Sequence, residues 1–307
     1  MSGPGRYAPS PTGELHLGNL RTALLAWLSA RSAGSGFLLR IEDLDSGRSR
    51  ERWVGVQLGE LGRIGLDWDE EPVRQSERHA LYEEAIAELR RQGLIYECFC
   101  TRAEIREAAS APHGDLPDGA YPGTCADLSR SQLDRRRSSG RPPALRVRAG
   151  AARAGFTDLL CGEVEATVDD FVVRRNDGDF GYNLAVAVDD AEQGIGEVVR
   201  GADLLDSTPR QFWLFDRLGL DPPGRYAHVP LMLGPDGSRL AKRHGAVTLE
   251  QRTGAGEAAD ERQATGPGQS VQEVVGEMAA SVGLVPAGTE CLAGELVERF
   301  SWRSLRQ

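Results

Sequence analysis

Residues 6–25 read RYAPSPTGELHLGNLRTALL. The prolines and glycine of this stretch predict a turn after a short strand, and the apolar residues beyond Asn19 recur with a helical period, so Asn19 is a plausible N-cap. The N-terminus of such a helix binds anions because its backbone N–H groups are unpaired, and Gly18 lets a ligand approach closely. His16 could then hydrogen-bond phosphate oxygens, although a simple helix-capping turn would have the same sequence.

A second apolar strand is predicted over residues 37–41, and helical segments follow over 50–64 and 77–92. This order of strand, helix and strand predicts an α/β fold with a parallel sheet. Open α/β sheets bind ligands at the carboxyl ends of their strands, so Glu42, directly after the second strand, is a candidate site residue. A solvated strand end is the alternative. Thr208 is expected to cap a later helix that has proline at its first position.

The chain is predicted to divide into three parts. Cysteines, a loop rich in Ala, Pro, Gly and Asp, and an arginine-rich stretch interrupt the alternating pattern over residues 95–168. We interpret this region as an insertion between two halves of a sheet domain, 1–94 and 169–250. Residues 251–307 begin with a flexible linker and are expected to end in a short helical tail.

Composition favours an ordinary soluble enzyme. The net charge is -10 and the pI about 5.2, whereas nucleic-acid-binding proteins usually have a basic domain or stripe. A local basic surface could form at six arginines: Arg135, Arg136, Arg137, Arg141, Arg146 and Arg148. No stretch has the apolar length of a membrane span and the N-terminus has no signal-peptide pattern, so we expect a cytoplasmic protein without a membrane partner.

A single lysine, Lys242, stands among the 36 lysines and arginines of the chain. Such a bias towards arginine removes lysine wherever any positive charge is enough. The surviving lysine therefore suggests a site that requires a compact ammonium on a flexible stem, which arginine does not provide. Chance survival on a solvated surface is the alternative.

Three of the five cysteines lie close together in the sequence, at Cys98, Cys100 and Cys125. An odd number of cysteines in a long chain, three of them clustered, favours a metal site over a disulfide framework. Three thiolates and one further ligand would complete a tetrahedral zinc site, for which the spacing favours water or His113 as the fourth ligand. Two buried cysteines on a strand and one unrelated cysteine are the alternative.

The chain resembles the class I glutamyl-tRNA synthetases over residues 5–50 and 170–250. The resemblance is carried by the stretches RYAPSPTGELHLGNLRTALL, RIEDLD, GYNLAVAVDD and VVRGADLL. It implies a Rossmann-like catalytic domain with a parallel sheet, and activation of an amino acid with ATP and Mg²⁺.

The resemblance implies an ATP site made by two elements. His16, Gly18 and Asn19 would belong to the HIGH element. Lys242 would belong to the KMSKS loop, where its ammonium stabilises phosphate charge as pyrophosphate leaves. His16 and Lys242 are thus the expected catalytic residues. The sequence departs from the KMSKS pattern, because arginine replaces its first lysine and its last serine, but the essential ammonium is kept.

The resemblance also implies a pocket for glutamate, whose members would be Arg6, Ala8, Ser10, Glu42, Tyr182 and Arg200. A buried arginine can form a bidentate pair with the side-chain carboxylate of the substrate. Glu42 can pair with the substrate's α-ammonium, and Tyr182 can hydrogen-bond the substrate or form a wall of the pocket. A pocket built on a guanidinium–carboxylate pair should reject the neutral glutamine.

The insertion resembles that of the glutamyl-Q tRNA(Asp) synthetases, which are shorter relatives in the same family. Their zinc ligands have the arrangement C-x-C…Y-x3-C, and this implies one structural Zn²⁺ per chain. The arrangement maps onto four residues here: Cys98, Cys100, Tyr121 and Cys125. Cys161 and Cys291 have no matching role and are expected to be structural.

These relatives attach glutamate to queuosine, a modified base in the anticodon loop of tRNA(Asp). About 57 residues follow the catalytic pattern here, so we expect no large anticodon-binding domain. The expected substrates are ATP, L-glutamate and queuosine-containing tRNA(Asp), used by a monomer. Two alternatives remain open: a shortened glutamyl-tRNA synthetase that acts on tRNA(Glu), and a non-catalytic synthetase-like protein that binds RNA or regulates.

Overall fold

The structure is a computed structural model that describes residues 3–109, 120–232, 248–254 and 268–305. The strands in these ranges are β1 (Gly5–Tyr7), β2 (Phe37–Ile41), β3 (Val73–Arg74), β4 (Ile95–Cys98), β5 (Ala144–Val147), β6 (Arg153–Asp158), β7 (Gly162–Thr167), β8 (Val172–Arg174), β9 (Glu197–Gly201) and β10 (Arg225–Val229). The helices are α1 (Leu17–Ser32), α2 (Glu51–Arg63), α3 (His79–Arg91), α4 (Arg102–Ala109), α5 (Arg130–Arg137), α6 (Tyr182–Glu192), α7 (Thr208–Leu218), α8 (Leu249–Thr253) and α9 (Val271–Ala280).

The larger sheet has seven strands in the order β3-β2-β1-β9-β10-β6-β7. Strand β1 is parallel to β2 and β9, and β10 is parallel to β9 and β6, whereas β7 pairs antiparallel with β6. A smaller antiparallel sheet has the order β4-β5-β8. The sequence prediction of an α/β fold with a mostly parallel sheet is therefore confirmed.

Helix α1 is buried on nearly all sides, which explains its almost continuous apolar sequence. Leu20, Leu24, Leu25 and Leu28 have no exposed surface. The helix packs on β1 and β9 and also contacts α9 and the 3-10 segment Ala293–Arg299. Because each fully buried leucine contributes about 1.5–3 kcal/mol, this packing holds the N-terminus of α1 firmly at the end of the sheet.

One face of the larger sheet carries charged side chains. Arg200 on β9 is in register with His228 on β10, and Tyr226 on β10 is in register with Asp158 on β6. Residues in register, and residues two apart on one strand, share a face. We call the resulting surface the polar face and define it by five residues: Arg6, Arg40, Asp158, Arg200 and His228. Helices α6 and α7 cover it, with Asp189, Asp190, Thr208 and Gln211 turned towards it.

One prediction from the sequence differs from the structure. Helix α7 begins at Thr208 itself and its N-cap is Ser207, because the 3-10 segment Ala202–Ser207 runs directly into it. Sheet membership also crosses the predicted domain boundaries. Strands β6 and β7 lie within 95–168 but extend the larger sheet, whereas β8 lies within 169–250 but joins the smaller one. The division into three parts therefore stays a prediction.

Candidate active site

A cavity of about 480 Å³ opens where the carboxyl ends of β1 and β9 approach the N-terminus of α1. Nine of the ten residues that the resemblance assigns to ATP or glutamate line it: Arg6, Ala8, Ser10, His16, Gly18, Asn19, Glu42, Tyr182 and Arg200. The tenth, Lys242, lies outside the described residues. The two predicted substrate sites are thus parts of one cavity.

His16 forms the N-cap of α1, a position that the sequence had suggested for Asn19. The imidazole Nδ1 accepts a hydrogen bond from the backbone N–H of Asn19 at 3.2 Å, so the neutral ring carries its proton on Nε2. A Cβ on Gly18 would lie 3.0 Å from two atoms of the His16 ring. Glycine at position 18 therefore leaves room for the imidazole at the helix terminus.

Helix α2 holds the loop between β1 and α1 in place. Gln57 donates to the backbone oxygens of Ser10 and Gly13, at 3.1 and 2.7 Å. Glu60 accepts a hydrogen bond from the backbone N–H of Leu15 at 2.9 Å. Burial raises the pKa of Glu60 to about 7, and the hydrogen bond from Leu15 opposes this. The wall of the cavity thus depends on a carboxylate whose neighbours offset little of the free-energy cost of burying its negative charge.

Arg6 is fixed by a bidentate ion pair with Asp190. Its Nε and Nη2 donate to the two carboxylate oxygens at 3.1 and 3.0 Å, and Arg40 donates to the same carboxylate at 2.7 Å. Burial alone would raise the pKa of Asp190, but the two guanidinium groups lower it to about 2. Asp190 therefore stays ionised and orients Arg6 at the cavity wall.

Arg40 connects this ion pair to two further carboxylates. Its guanidinium lies 3.4 Å from Glu42 and 3.7 Å from Asp189. Burial raises the pKa of Glu42, and the positive charges of Arg40 and Arg6 oppose the rise. Asp189 is satisfied separately by hydrogen bonds from three side chains: Gln75, Arg78 and Tyr82. Glu42 is thus the carboxylate of this group that lines the cavity.

Arg200 is held by neutral partners. Its Nε donates to His228 at 3.0 Å, and its Nη2 donates to Thr208 and Gln211 at 2.7 and 2.9 Å. Its Nη1 is buried and has no hydrogen-bond partner among the described residues, although the side chain lines the cavity. A buried guanidinium with a donor left over is suited to a carboxylate ligand, because an unmade hydrogen bond is costly there.

Two tyrosines lie beside these arginines. Tyr182 begins α6 and keeps 38% of its surface exposed, since its side chain lines the cavity. Tyr226 is 2% exposed, and its hydroxyl has no partner among the described residues. Burial raises the pKa of Tyr226, and Asp190 raises it further, so the hydroxyl remains a donor. Tyr226 was not predicted as a site residue.

The three predicted cysteine ligands converge beside Tyr121. The sulfur atoms of Cys98, Cys100 and Cys125 all lie within 4.8 Å of one another. The Tyr121 hydroxyl oxygen lies 3.3 Å from Cys98 Sγ and 3.5 Å from Cys100 Sγ. Thiolates around Zn²⁺ at about 2.3 Å would be about 3.8 Å apart, so the cluster could bind a metal ion. His113 lies outside the described residues.

The predicted basic surface is smaller than the sequence suggested. Arg135 and Arg136 are exposed on α5. Arg146 is instead buried, with its guanidinium carbon 3.8 Å from the centre of the Tyr121 ring. Arg137 and Arg148 form ion pairs with Glu97 and Asp127. Arg146 therefore supports the cysteine cluster and was wrongly assigned to the surface.

The sequence analysis missed the residues that orient the two cavity arginines. These are Asp190 for Arg6, and His228, Thr208 and Gln211 for Arg200. A signal existed for Asp190, because two consecutive aspartates end the apolar run of α6, and buried carboxylates require partners. No comparable sequence pattern identifies Thr208 or Gln211 as a partner of Arg200.

No helix in the described part of the chain has both the length and the apolar character that a membrane crossing requires. The family model for the catalytic domain of class I tRNA synthetases (E and Q) matches residues 4–265. A solved structure, the glutamate tRNA ligase from Elizabethkingia meningosepticum, superposes with a TM-score of 0.78 at 26% identity, covering 99% of this chain and 66% of that chain.

Similar proteins point to the same group. The glutamyl-Q tRNA(Asp) synthetase of Nocardia farcinica is 56% identical over 286 residues, which are 93% of this chain and 86% of that protein. That of Symbiobacterium thermophilum is 48% identical, with 96% and 91% covered. A glutamate–tRNA ligase from Geobacter sulfurreducens is 44% identical, but the chain spans 52% of its length. This chain therefore belongs to the class I tRNA synthetases of the E and Q type, in the group that contains the glutamyl-Q tRNA(Asp) synthetases.

Proposed function

We propose that this enzyme activates L-glutamate with ATP and transfers the glutamyl group to the queuosine base of tRNA(Asp). The observation that carries the activation step is the cavity lined by both predicted substrate sites. The names of the most similar relatives support queuosine in tRNA(Asp) as the acceptor.

In the first step, the α-carboxylate of glutamate attacks the α-phosphorus of ATP, and the bond to pyrophosphate breaks. Negative charge builds on the phosphate oxygens next to the N-terminus of α1, where His16 and the backbone N–H groups can stabilise it. Lys242 is proposed to stabilise the leaving pyrophosphate, and Mg²⁺ bound with ATP would neutralise further phosphate charge.

Glutamate would be recognised by the charges that line the cavity. Arg200 Nη1, with Arg6 nearby, is suited to the side-chain carboxylate, and Glu42 is suited to the α-ammonium. Glutamine would leave the Arg200 guanidinium without an anionic partner. The proposed preference for glutamate therefore follows from the cost of an unpaired buried charge.

In the second step, a hydroxyl oxygen on the queuosine ring attacks the acyl carbon of glutamyl-AMP. AMP leaves with the electron pair of the broken bond, and the hydroxyl proton passes to solvent or to a base. The products are AMP and a glutamyl ester of the modified base.

We also propose that one structural Zn²⁺ is held by Cys98, Cys100, Tyr121 and Cys125. Three sulfurs and one oxygen form a donor set of the kind that zinc prefers, and they belong to a small region with few other buried groups. Arg146 stacks on the Tyr121 ring, and the backbone N–H of Cys125 donates to the Tyr121 hydroxyl oxygen at 2.9 Å, so this oxygen would be held beside the sulfur atoms as the fourth ligand. The ion would stabilise this part of the fold rather than take part in the reaction.

The test is the transfer of labelled glutamate to three RNAs: tRNA(Asp) with queuosine at the wobble position, tRNA(Asp) with unmodified guanine, and tRNA(Glu). We expect label in the queuosine form alone. Label in tRNA(Glu) would instead identify a glutamyl-tRNA synthetase.

Lys242→Ala should abolish glutamate-dependent ATP–pyrophosphate exchange. Lys242→Arg is the matched control, which keeps the positive charge but replaces the compact ammonium with a planar guanidinium. A wild-type protein that shows neither exchange nor transfer would contradict the proposal and favour a non-catalytic role.

A further inference from the structure

The guanidinium of Arg200 is oriented by a histidine whose protonation state is restricted. Arg200 Nε always carries a proton, so His228 Nε2, at 3.0 Å, must accept the hydrogen bond and cannot itself be protonated. Thr208 Oγ1 lies 3.0 Å from the same nitrogen, but its hydroxyl donates to the backbone oxygen of Leu204 at 3.0 Å. The proton of the neutral His228 ring therefore lies on Nδ1.

Asp158 favours the same tautomer from the other side of the ring. Its Oδ2 lies 2.7 Å from His228 Nδ1 and also accepts the backbone N–H of His228 at 3.0 Å. Its Oδ1 accepts the backbone N–H groups of Leu160 and Cys161, both at 2.9 Å. With both oxygens occupied by donors, the carboxylate can only accept the proton of Nδ1–H.

We propose that Asp158 and His228 are positioning residues for glutamate recognition. Asp158 holds His228 as the Nδ1–H tautomer, and His228 Nε2 then holds Arg200 so that Nη1 faces the side-chain carboxylate of bound glutamate. This inference rests on the proposed glutamate-activating function. It assigns a role to two buried residues, on β6 and β10, that do not line the cavity.

The arrangement predicts a dependence of glutamate binding on pH. Protonated His228 would turn an Nε2–H towards Arg200 Nε–H and would add a positive charge beside the guanidinium. The charged and titratable groups that face His228 are Arg200 on β9, Arg6 on β1, Asp158 on β6 and Tyr226 on β10, while α7 contributes the neutral Thr208 and Gln211.

Burial lowers the pKa of His228, the Arg200 charge lowers it further, and Asp158 opposes both. The ring therefore stays neutral to a lower pH than an ordinary histidine, and glutamate binding should weaken where the pH falls far enough to protonate it.

Asp158→Asn tests the tautomer directly. The amide oxygen can still accept the hydrogen bonds from Leu160 and Cys161, so the turn after β6 is kept. The amide nitrogen would take the place of Oδ2. It would face His228 Nδ1 as a donor and force the ring proton to Nε2, where it opposes Arg200 Nε–H, and it would leave the backbone N–H of His228 without its acceptor. We expect the KM for glutamate in ATP–pyrophosphate exchange to rise at least tenfold, with the KM for ATP changed less than twofold.

His228→Gln tests the pH dependence. Glutamine removes the titratable ring but keeps an oxygen that can accept a hydrogen bond. The KM for glutamate should rise in the wild type as the pH is lowered from 7.5 to 5.5, and the ratio of the two KM values should be smaller in the variant. An unchanged ratio in His228→Gln would overturn the inference.

Two matched controls separate positioning from general destabilisation. Asp169→Asn changes another buried aspartate that is paired with an arginine, Arg210, and does not line the cavity. His79→Gln changes an exposed histidine that contacts Phe180. Both should keep the wild-type KM for glutamate. If Asp158→Asn raises this KM no more than Asp169→Asn does, the positioning role is wrong.

Calorimetric measurement of glutamate binding to the same proteins distinguishes failure of the positioning role from failure of the proposed function. Absence of exchange in the wild type would contradict the proposed function. The inference would then still require a glutamate Kd at least tenfold higher in Asp158→Asn than in the wild type, and equal Kd values would overturn it.

Discussion

The cysteine cluster and the polar face are both buried sites with several polar groups, but they are assembled over very different distances along the chain. Cys100 and Cys125 are 25 positions apart, and Tyr121 lies between them. Arg6 and Asp190 are 184 positions apart, and Arg40 and Asp190 are 150 apart. The first site depends on one short region, whereas the second requires the complete order of strands and helices.

The two sites also differ in how their buried polarity is compensated. Between the polar face and α6, the Asp190 carboxylate and the guanidinium groups of Arg6 and Arg40 compensate one another, so removal of one member leaves others charged and unpaired. The side chains of the cysteine cluster are small and weakly polar. They stabilise the fold strongly only when they share a bound cation. Substitutions in the first site should therefore be costly without any ligand, and those in the second should be costly through loss of the metal.

Asp190→Asn should have the largest effect on stability. It leaves Arg6 and Arg40 without their shared carboxylate, and the free energy of unfolding should fall by about 3–5 kcal/mol. Asp216→Asn is the control, since Asp216 is exposed and pairs with Arg217 at 3.6 Å. Urea denaturation of both variants gives the comparison. Equal midpoints for the two would show that the buried ion pairs contribute little.

Cys125→Ser should remove the metal and the stability that comes with it. We expect one zinc per chain in the wild type by elemental analysis, and a background level in the variant. At free zinc about a hundredfold above its Kd, the loss would be about 3 kcal/mol. Cys161→Ser changes a cysteine outside the cluster and should alter neither quantity. Full zinc content in Cys125→Ser would contradict the ligand assignment.

Glu60→Gln extends the comparison to a carboxylate buried without an ion pair to compensate it. The pKa of Glu60 in the fold is raised to about 7 by burial, so the native state binds more protons than the unfolded state between about pH 4.5 and 7. Stability should fall as the pH rises through this window. The shift corresponds to roughly 3 kcal/mol, reduced to about 2 kcal/mol because water reaches the cavity wall.

Glutamine keeps the acceptor for the Leu15 N–H and removes the charge. The free energy of unfolding of Glu60→Gln, relative to that of the wild type, should therefore increase from pH 5 to pH 8. A constant difference across this range would mean that Glu60 titrates near its ordinary pKa.

Tyr226→Phe should have the smallest effect and should act on substrate binding. The variant removes a buried hydroxyl close to Arg6 and Arg200 without changing the ring packing. A hydrogen bond to a charged ligand contributes about 1.5 kcal/mol, so the KM for glutamate should rise about tenfold while that for ATP stays constant. Tyr96→Phe, which removes a hydroxyl bonded to Asp170, is the control. An unchanged KM would exclude Tyr226 from glutamate binding.

Local patterns in the sequence predicted most of the secondary structure near the site. Helices predicted over 50–64 and 77–92 are observed at Glu51–Arg63 and His79–Arg91, because their apolar residues recur every three to four positions. His16, Gly18 and Asn19 lie on one turn of helix, so their proximity was already contained in their spacing. The sequence suggested Asn19 as the N-cap of α1 and the structure places His16 there, within the same turn.

The partners of Arg6 and Arg200 could not be found in this way. Asp190 meets Arg6 because α6 crosses the sheet above β1, and His228 meets Arg200 because β10 pairs in register with β9. The order β1-β9-β10 joins strands that are distant in the chain. A buried aspartate at the end of α6 indicates that it has a partner, but not which arginine that partner is.

The sequence by itself determined the α/β class, the strand–turn–helix beside the proposed nucleotide site, and the spacing of the cysteines, because each depends on residues that are close along the chain. The tertiary structure alone decided that Asp190 orients Arg6 and that Asp158 and His228 orient Arg200. The reason is physical: hydrogen bonds and ion pairs act over about 3 Å, and only the strand order and the packing of α6 on the sheet bring these side chains within that distance.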